Sequence, residues 1–456
     1  MRIFLLLSLA GACLAADSWP GMRDLILEAE KAASGVGVFP DKSRPDEWGA
    51  RLLARSGYVD EAAVLWAKAG GNQIYLIRAR TYYGELDTAR KEALSASSPE
   101  KRSGLLGHIA DVLWKMGQPE QARAVLEEAR TAAERIADLQ SRARRLSGIK
   151  DAIALLAGDP PVHMPEKVSH GTPAVSSVPP FPVNTDGYRY RDTKTVASEA
   201  EDNARYLTRL FELAVAGDRE GLVKLTVAAK SPFQRTLAFA TLAHVFIQLS
   251  RPQDAEEYTR LMEEDKEDCS LAKAEALDGV AMAWIRTGKR EDALRCFDDA
   301  LHLLSTIGPD LAFGRSVVVA KIGIDQLKSN RFPEAEATID LSVNLAKLAS
   351  AKPKPVNGVY PKGYFDNRTT RDDALRQIFE MSANARMALS ARKAAKAFRE
   401  AAGPGVDTAI VQIWVGSGDK AEAEAYAHGI ENKTERAEAL LVLVQSWLDY
   451  NGVPVF

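Results

Sequence analysis

The sequence predicts an all-α fold, a solenoid of antiparallel helix pairs, and three observations carry that prediction. A tight-bend residue is followed by alanine five positions on, a large apolar residue nine on and a second alanine twelve on. Gly288, Ala293, Phe297 and Ala300 show it best; Gly57, Ala62, Trp66 and Ala69 repeat it, as do Gly117, Ala122, Leu126 and Ala129. Weaker copies start at Gly84, Ser250, Asn330, Ser390 and Gly418. Next, no long alternating β-branched run bounded by a hairpin turn appears, so strands are not expected. Finally, a helix pair with one apolar face cannot bury that face alone. It must stack on its neighbours, which makes the array the fold and its surface the working part.

Taken in order, the chain opens on Met1-Arg2, the apolar run Ile3 to Ala10, then small residues through Ala16. A charged start, an apolar stretch too short to span a bilayer and a small-residue end describe a secretory leader over 1–16, cut after Ala15 or Ala16. The rival reading is a bacterial lipobox at Ala10-Gly11-Ala12-Cys13 that leaves a lipid anchor on Cys13, although a large aliphatic normally stands where Ala10 does. No later stretch is apolar enough to cross a membrane, so an exported protein, periplasmic or secreted, is expected.

Helix pairs turning at Gly57, Gly84 and Gly117 fill 17–157, closed by a helix with apolar residues at Leu139, Leu146, Ile149, Ile153 and Leu156. Over 158–197 the composition shifts to proline, from Pro160 and Pro161 to Pro179, Pro180 and Pro182, among Ser, Thr and Val. Proline donates no backbone hydrogen bond, so this segment reads as an extended linker or strap. The central array, 198–350, turns at Gly217, Ser250, Gly288 and Asn330. Pro252 and Pro333, just after two of those bends, suit a first helical turn, where no N–H is needed. An irregular loop at 351–369 carries Tyr360, Tyr364 and Phe365, expected either to touch a partner or to anchor the loop on neighbouring helices. Residues 370–456 hold helices turning at Ser390 and Gly418 and, over 434–450, a capping helix with a charged first turn.

Net charge is −3, and −4 once Arg2 is removed, with both signs mixed along the helices. A nucleic-acid binder would show a basic stripe, and none is expected here. The run Arg142, Arg144 and Arg145 lies close to Glu134 and Asp138 and reads as a solvated helix face. Cys269 and Cys296 stand about 19 residues before and eight after the Gly288 bend. Along antiparallel helices that offset is on the order of 16 Å, beyond the ~7 Å a disulfide bridges. Two free, buried thiols are expected.

The catalytic inventory is thin: no phosphate or dinucleotide glycine loop, no nucleophile elbow, no His-Glu-x-x-His and no Cys-x-x-Cys. Of the six histidines only His163 and His170 are close, and both sit in the proline-rich linker. The pairs Glu256-Glu257, Glu263-Glu264 and Asp298-Asp299 diverge by ~100° on a helix and read as solvated faces. No catalytic residue, cofactor or metal is expected. Asn367-Arg368-Thr369 and Asn432-Lys433-Thr434 have the glycosylation-acceptor pattern.

The repeat resembles that of tetratricopeptide-repeat proteins. Leu277, Val280, Ala281, Trp284, Gly288, Ala293, Phe297 and Ala300 match that family's pattern, and Leu106, Ile109, Ala110, Leu113, Gly117, Ala122 and Ala129 match nearly as well. The bends are 27, 33, 33, 38 and 42 residues apart along each array, against about 34 in the family. The resemblance implies a right-handed solenoid in two arrays and the binding of a protein or peptide on the first helix of each pair. The family's inward positions fall on Asp111, Trp114 and Lys115, on His244 and Gln248, and on Glu275, Asp278, Met282 and Arg286. The expected function is a non-enzymatic interaction scaffold. The alternatives are a carbohydrate-active enzyme on an α/α toroid, which would bring acids from several helices into one cleft, and an envelope-assembly lipoprotein.

Overall fold

The computed structural model describes residues 21–34, 39, 44–69, 73–156, 208–227, 232–262, 267–350 and 370–453. The leader with Cys13, the proline-rich linker, His163, His170, Glu263-Glu264, Asn367 and the loop with Tyr360, Tyr364 and Phe365 lie outside the described residues.

Every regular element among the described residues is helical. In chain order these are α1 (Met22–Ala32), α2 (Pro45–Arg55), α3 (Val59–Ala69), α4 (Ile74–Tyr82), α5 (Leu86–Leu94), α6 (Pro99–Lys115), α7 (Pro119–Glu134) and α8 (Leu139–Leu155). Then come α9 (Arg219–Val227), α10 (Pro232–Gln248), α11 (Pro252–Arg260), α12 (Glu267–Arg286), α13 (Arg290–Ser305), α14 (Ala312–Lys328), α15 (Phe332–Ala346), α16 (Arg371–Asn384) and α17 (Ala388–Ala402). The last three are α18 (Asp407–Gly416), α19 (Lys420–His428) and α20 (Lys433–Tyr450). Two compact units result, one from Met1–Pro173 with Asp407–Phe456, the other from Ala174–Val406. The expected block 370–456 is thus divided between them.

The bends form for a common reason. Gly57, Gly84, Gly117, Gly217, Gly288 and Gly418 have φ between 71° and 87°, the left-handed region that glycine enters without a Cβ clash. At Gly288 the bend amide donates to the Ile285 carbonyl at 2.9 Å and the next amide, of Lys289, to Trp284 at 3.0 Å, the paired closure of a Schellman motif. The same two bonds form where no glycine stands, at Ser250 (φ 56°) and Asn330 (φ 62°). The bend expected at Ser390 is at Arg386 (φ 59°), four residues earlier, and Ser390 is a 1% exposed residue inside α17. Ala391 stands five positions after Arg386 just as Ala395 stands five after Ser390, so an alanine-rich helix offers two registers and packing selects one.

After each bend the repeat residues are core. Ala62, Trp66 and Ala69, Ala122, Leu126 and Ala129, and Ala293, Phe297 and Ala300 are all buried. Small residues set the spacing: a Cβ on Gly323 of α14 would lie 2.7 Å from Ile339 of α15, so those two helices touch at backbone distance. Cys269 and Cys296 are both buried and unbridged, and burial pushes the Cys296 thiol up to about 12.

Within the second unit the pairs α10/α11, α12/α13, α14/α15 and α16/α17 follow one another, each first helix packing on the next pair's first helix. The first unit runs the same way through α2/α3, α4/α5 and α6/α7 to α8, but its other end is assembled differently. There α20 packs on α18 and α19 behind it, takes α1 as its second helix, and meets α2 in front. One repeat is therefore built from two helices about 400 residues apart. The expected capping helix is corrected accordingly: Ala439 to Val444 are six consecutive buried residues, and a stretch that is apolar all round has no face to offer water. Asn432 caps it, its side chain accepting from the amides of Thr434 and Glu435. The helix expected to close 17–157 is present as α8, although Leu139 is 69% exposed there rather than packed.

Candidate functional site

The residues expected to line a groove all lie on first helices, and the structure places them in two separate sets. In the first unit, Asp111 of α6 accepts from Arg78 of α4 at 3.0 Å and from Lys115 at 3.0 Å. His108, one turn before Asp111, has its pKa lowered by burial and then by the Arg78 charge. Trp114 leans on the apolar core of this unit, while its indole N–H finds no acceptor among the described residues. It is a packing residue with one polar atom left over.

In the second unit the set is larger and more strongly coupled. His244 and Gln248 of α10 are hydrogen-bonded at 2.9 Å. On α12, Glu275 and Met282 are half-buried and Arg286 is exposed, with no ion partner among the described residues. Asp278 differs from all of these: its side chain is 0% exposed and lies 3.1 Å from Lys321 Nζ of α14. Neither carboxylate oxygen has a hydrogen bond of good geometry. Burial raises the Asp278 carboxyl to about 7, the Lys321 charge opposing and the neighbouring Asp325 adding to the rise. Glu275 is also raised by burial, against the pull of Lys321. His244 is lowered by burial and then by Lys321 and Arg286. Lys321 resists the burial that would lower it and is raised, chiefly by Asp278.

Three consecutive first helices thus converge on one ammonium group. Sequence reading leaves out Lys321 and Asp325. Their i, i+4 spacing on the helix that ends at the Asn330 bend is the signal that finds them. It also misplaces Asp278, which faces inward between α12 and α14 and is unavailable to a ligand as the helices stand.

A second buried acid escapes the expectation of a solvated face. Glu256 of α11 is 6% exposed and accepts from Trp284 Nε1 at 3.0 Å and Arg295 at 2.6 and 3.3 Å, with Arg260 at 2.5 Å. Asp298 and Asp299 remain exposed, as expected. On the second helices, a cleft of about 290 Å³ between α15 and α17 is lined by Asp340, Lys347, Lys393, Lys396 and Glu400. No described helix is long and apolar enough to cross a membrane. Among the described residues no group of three His, Cys, Asp or Glu is arranged to hold a metal ion.

Stacked antiparallel helix pairs with a polar seam along their first helices define the chain as an all-α helical-repeat protein. No known family profile matches it, and no curated protein matches it. Among solved structures it is similar to a "circular tandem repeat protein with novel repeat topology and enhanced subunit contact surfaces", at 12% identity and a TM-score of 0.20, over 96% of this chain and 98% of that one.

Proposed function

We propose that this is an exported, non-enzymatic scaffold of the tetratricopeptide type, which grips a protein or peptide partner along the first helices of its second unit. The reading rests on one arrangement. His244, Gln248, Met282, Arg286 and Lys321 come from three successive first helices, and Arg286 points an unpaired charge to solvent beside a half-buried methionine. A mixed polar and thioether surface of this kind suits an extended chain or a helix laid across the repeats. The leader over 1–16 supplies the export part of the proposal, with Ala15 or Ala16 as the new end.

Affinity recovery with crosslinking, from the native envelope or medium, tests this. Wild-type protein is expected to recover a reproducible partner set, and a variant carrying Arg286→Glu and Gln248→Glu, both at exposed positions, to lose it several-fold while keeping its helical spectrum. Equal recovery by both proteins, or turnover of a small saccharide with no partner recovered, overturns the proposal. Mass spectrometry of the mature N-terminus separates cleavage after Ala15 or Ala16 from a lipid on Cys13.

A further inference from the structure

The repeat built from α1 and α20 has a property that no other repeat here has. Elsewhere the two helices of a pair are joined by a bend of a few residues; α1 and α20 meet without any direct peptide connection, and α1 is tethered only through residues 33–44 to α2. The contact is a complete helix-in-groove joint. Met22, Leu25, Ile26 and Ala29, at i, i+3, i+4 and i+7, are all buried, while Asp24 and Lys31 face water. Opposite them lies the apolar body of α20, flanked by α2. Two polar contacts sit at the rim: Arg23 Nε with Glu61 Oε1 at 3.0 Å, and His428 Nδ1 with Glu28 Oε1 at 3.3 Å.

We infer that the face which α20 and α2 present to α1 is an acceptor groove for an amphipathic helix supplied in trans, and that its fitting occupant is the α1 segment of a second copy of this chain. Every contact made in cis can be made by the same helix from another molecule, since both copies carry the same four apolar residues and the same rim charges. The chain connection favours the cis arrangement, and Phe39 within it adds to that by packing edge-on against Trp48 of α2, ring centroids 5.9 Å apart. A short connection confers an effective concentration in the millimolar range, so exchange between copies sets in when the tether is cut or when the protein itself approaches that concentration. An empty groove is disfavoured because it exposes one side of the apolar stretch Ala439 to Val444.

The test uses the full chain with a protease site inserted between residues 34 and 44 and cut after folding. The severed helix is expected to stay bound through gel filtration and to be replaced, saturably, by a fluorescent peptide of residues 21–34. The same peptide with Ile26→Asp is expected to bind about 100-fold more weakly, because it must bury a carboxylate. Uncut tagged and untagged chains held near millimolar concentration are expected to form mixed dimers by native mass spectrometry, and Ile26→Asp chains none. Three results overturn the inference: loss of the severed helix without uptake of the peptide, collapse of the unit on cutting, or equal binding of both peptides. Absence of mixed dimers overturns the second copy as occupant.

Discussion

Two acidic side chains in the second unit are about equally hidden from water, and they hold their protons in opposite ways. Burial works to raise the pKa of Glu256, but hydrogen bonds from Arg295 and Trp284 outweigh it and leave the carboxyl below its ordinary value. Asp278 has one ammonium at 3.1 Å, no well-formed hydrogen bond and a second carboxylate for a neighbour, and its carboxyl rises to about 7. The donors, not the depth, decide the charge. Location follows the same division. Glu256 ties α11 to α12 and α13 and serves the fold; Asp278 sits behind the first-helix seam, where donors have been left unassigned.

The contrast breaks most visibly at its stable end. Glu256→Ala leaves the buried Trp284 indole without its acceptor, while Arg295 keeps Asp292, and is expected to cost the second unit about 1–3 kcal/mol, read as lost hydrogen-exchange protection across α11 to α13. If protection is unchanged, the network is decorative and the comparison fails. The pH dependence of the two acids has opposite signs. Glu256 contributes stability above its unfolded pKa that is lost as the solution becomes acidic. The folded chain holds a proton on Asp278 that the unfolded chain releases between about pH 4 and 7. The Asp278 contribution therefore falls as pH rises through that window, by at most about 1.4 kcal/mol per pH unit, and levels off above 7. Asp278→Asn is expected to remove that slope in denaturant titrations from pH 4 to 8. Parallel curves for the two proteins mean that Asp278 is ionised in the fold.

A smaller effect sharpens the comparison. Lys321→Met removes the only cation beside Asp278 among the described residues, and the titration of that carboxyl, followed by carbonyl carbon NMR, is expected to move up by about one pH unit. An unchanged titration shows that burial and Asp325, not Lys321, govern the site. Least of all, Arg286→Ala is expected to change stability by no more than about 0.5 kcal/mol while lowering partner recovery. A large destabilisation assigns Arg286 to the fold rather than to the binding face.

Much of the array was legible before any coordinates. Glycine at a left-handed bend and alanine five residues later are local signals, and Gly57, Gly117 and Gly288 carry them cleanly. Arg386 does not, because its backbone is held by two hydrogen bonds that any residue can make, so the sequence displays only an alanine-rich register that fits two ways. The pairing of α1 with α20 was invisible for a different reason. It joins segments some 400 residues apart, and the only sign of it is the unbroken apolar run Leu440 to Val444, too rich for a helix that caps an array. At the seam, position in the repeat found His244, Met282 and Arg286. It could not separate an inward-facing Asp278 from a solvated one, because that depends on Lys321 and Asp325 arriving from the next helix.

The shared repeat also has a consequence in time. A ribosome makes α1 roughly 400 residues before α20, so at about 5–20 residues per second the earlier helix waits on the order of 20 to 80 s for its partner. Throughout that interval Leu25 and Ile26 lack the surface they were shaped for, and the first unit cannot close. Synthesis of α20, rather than of any one array, is the event that closes the first unit.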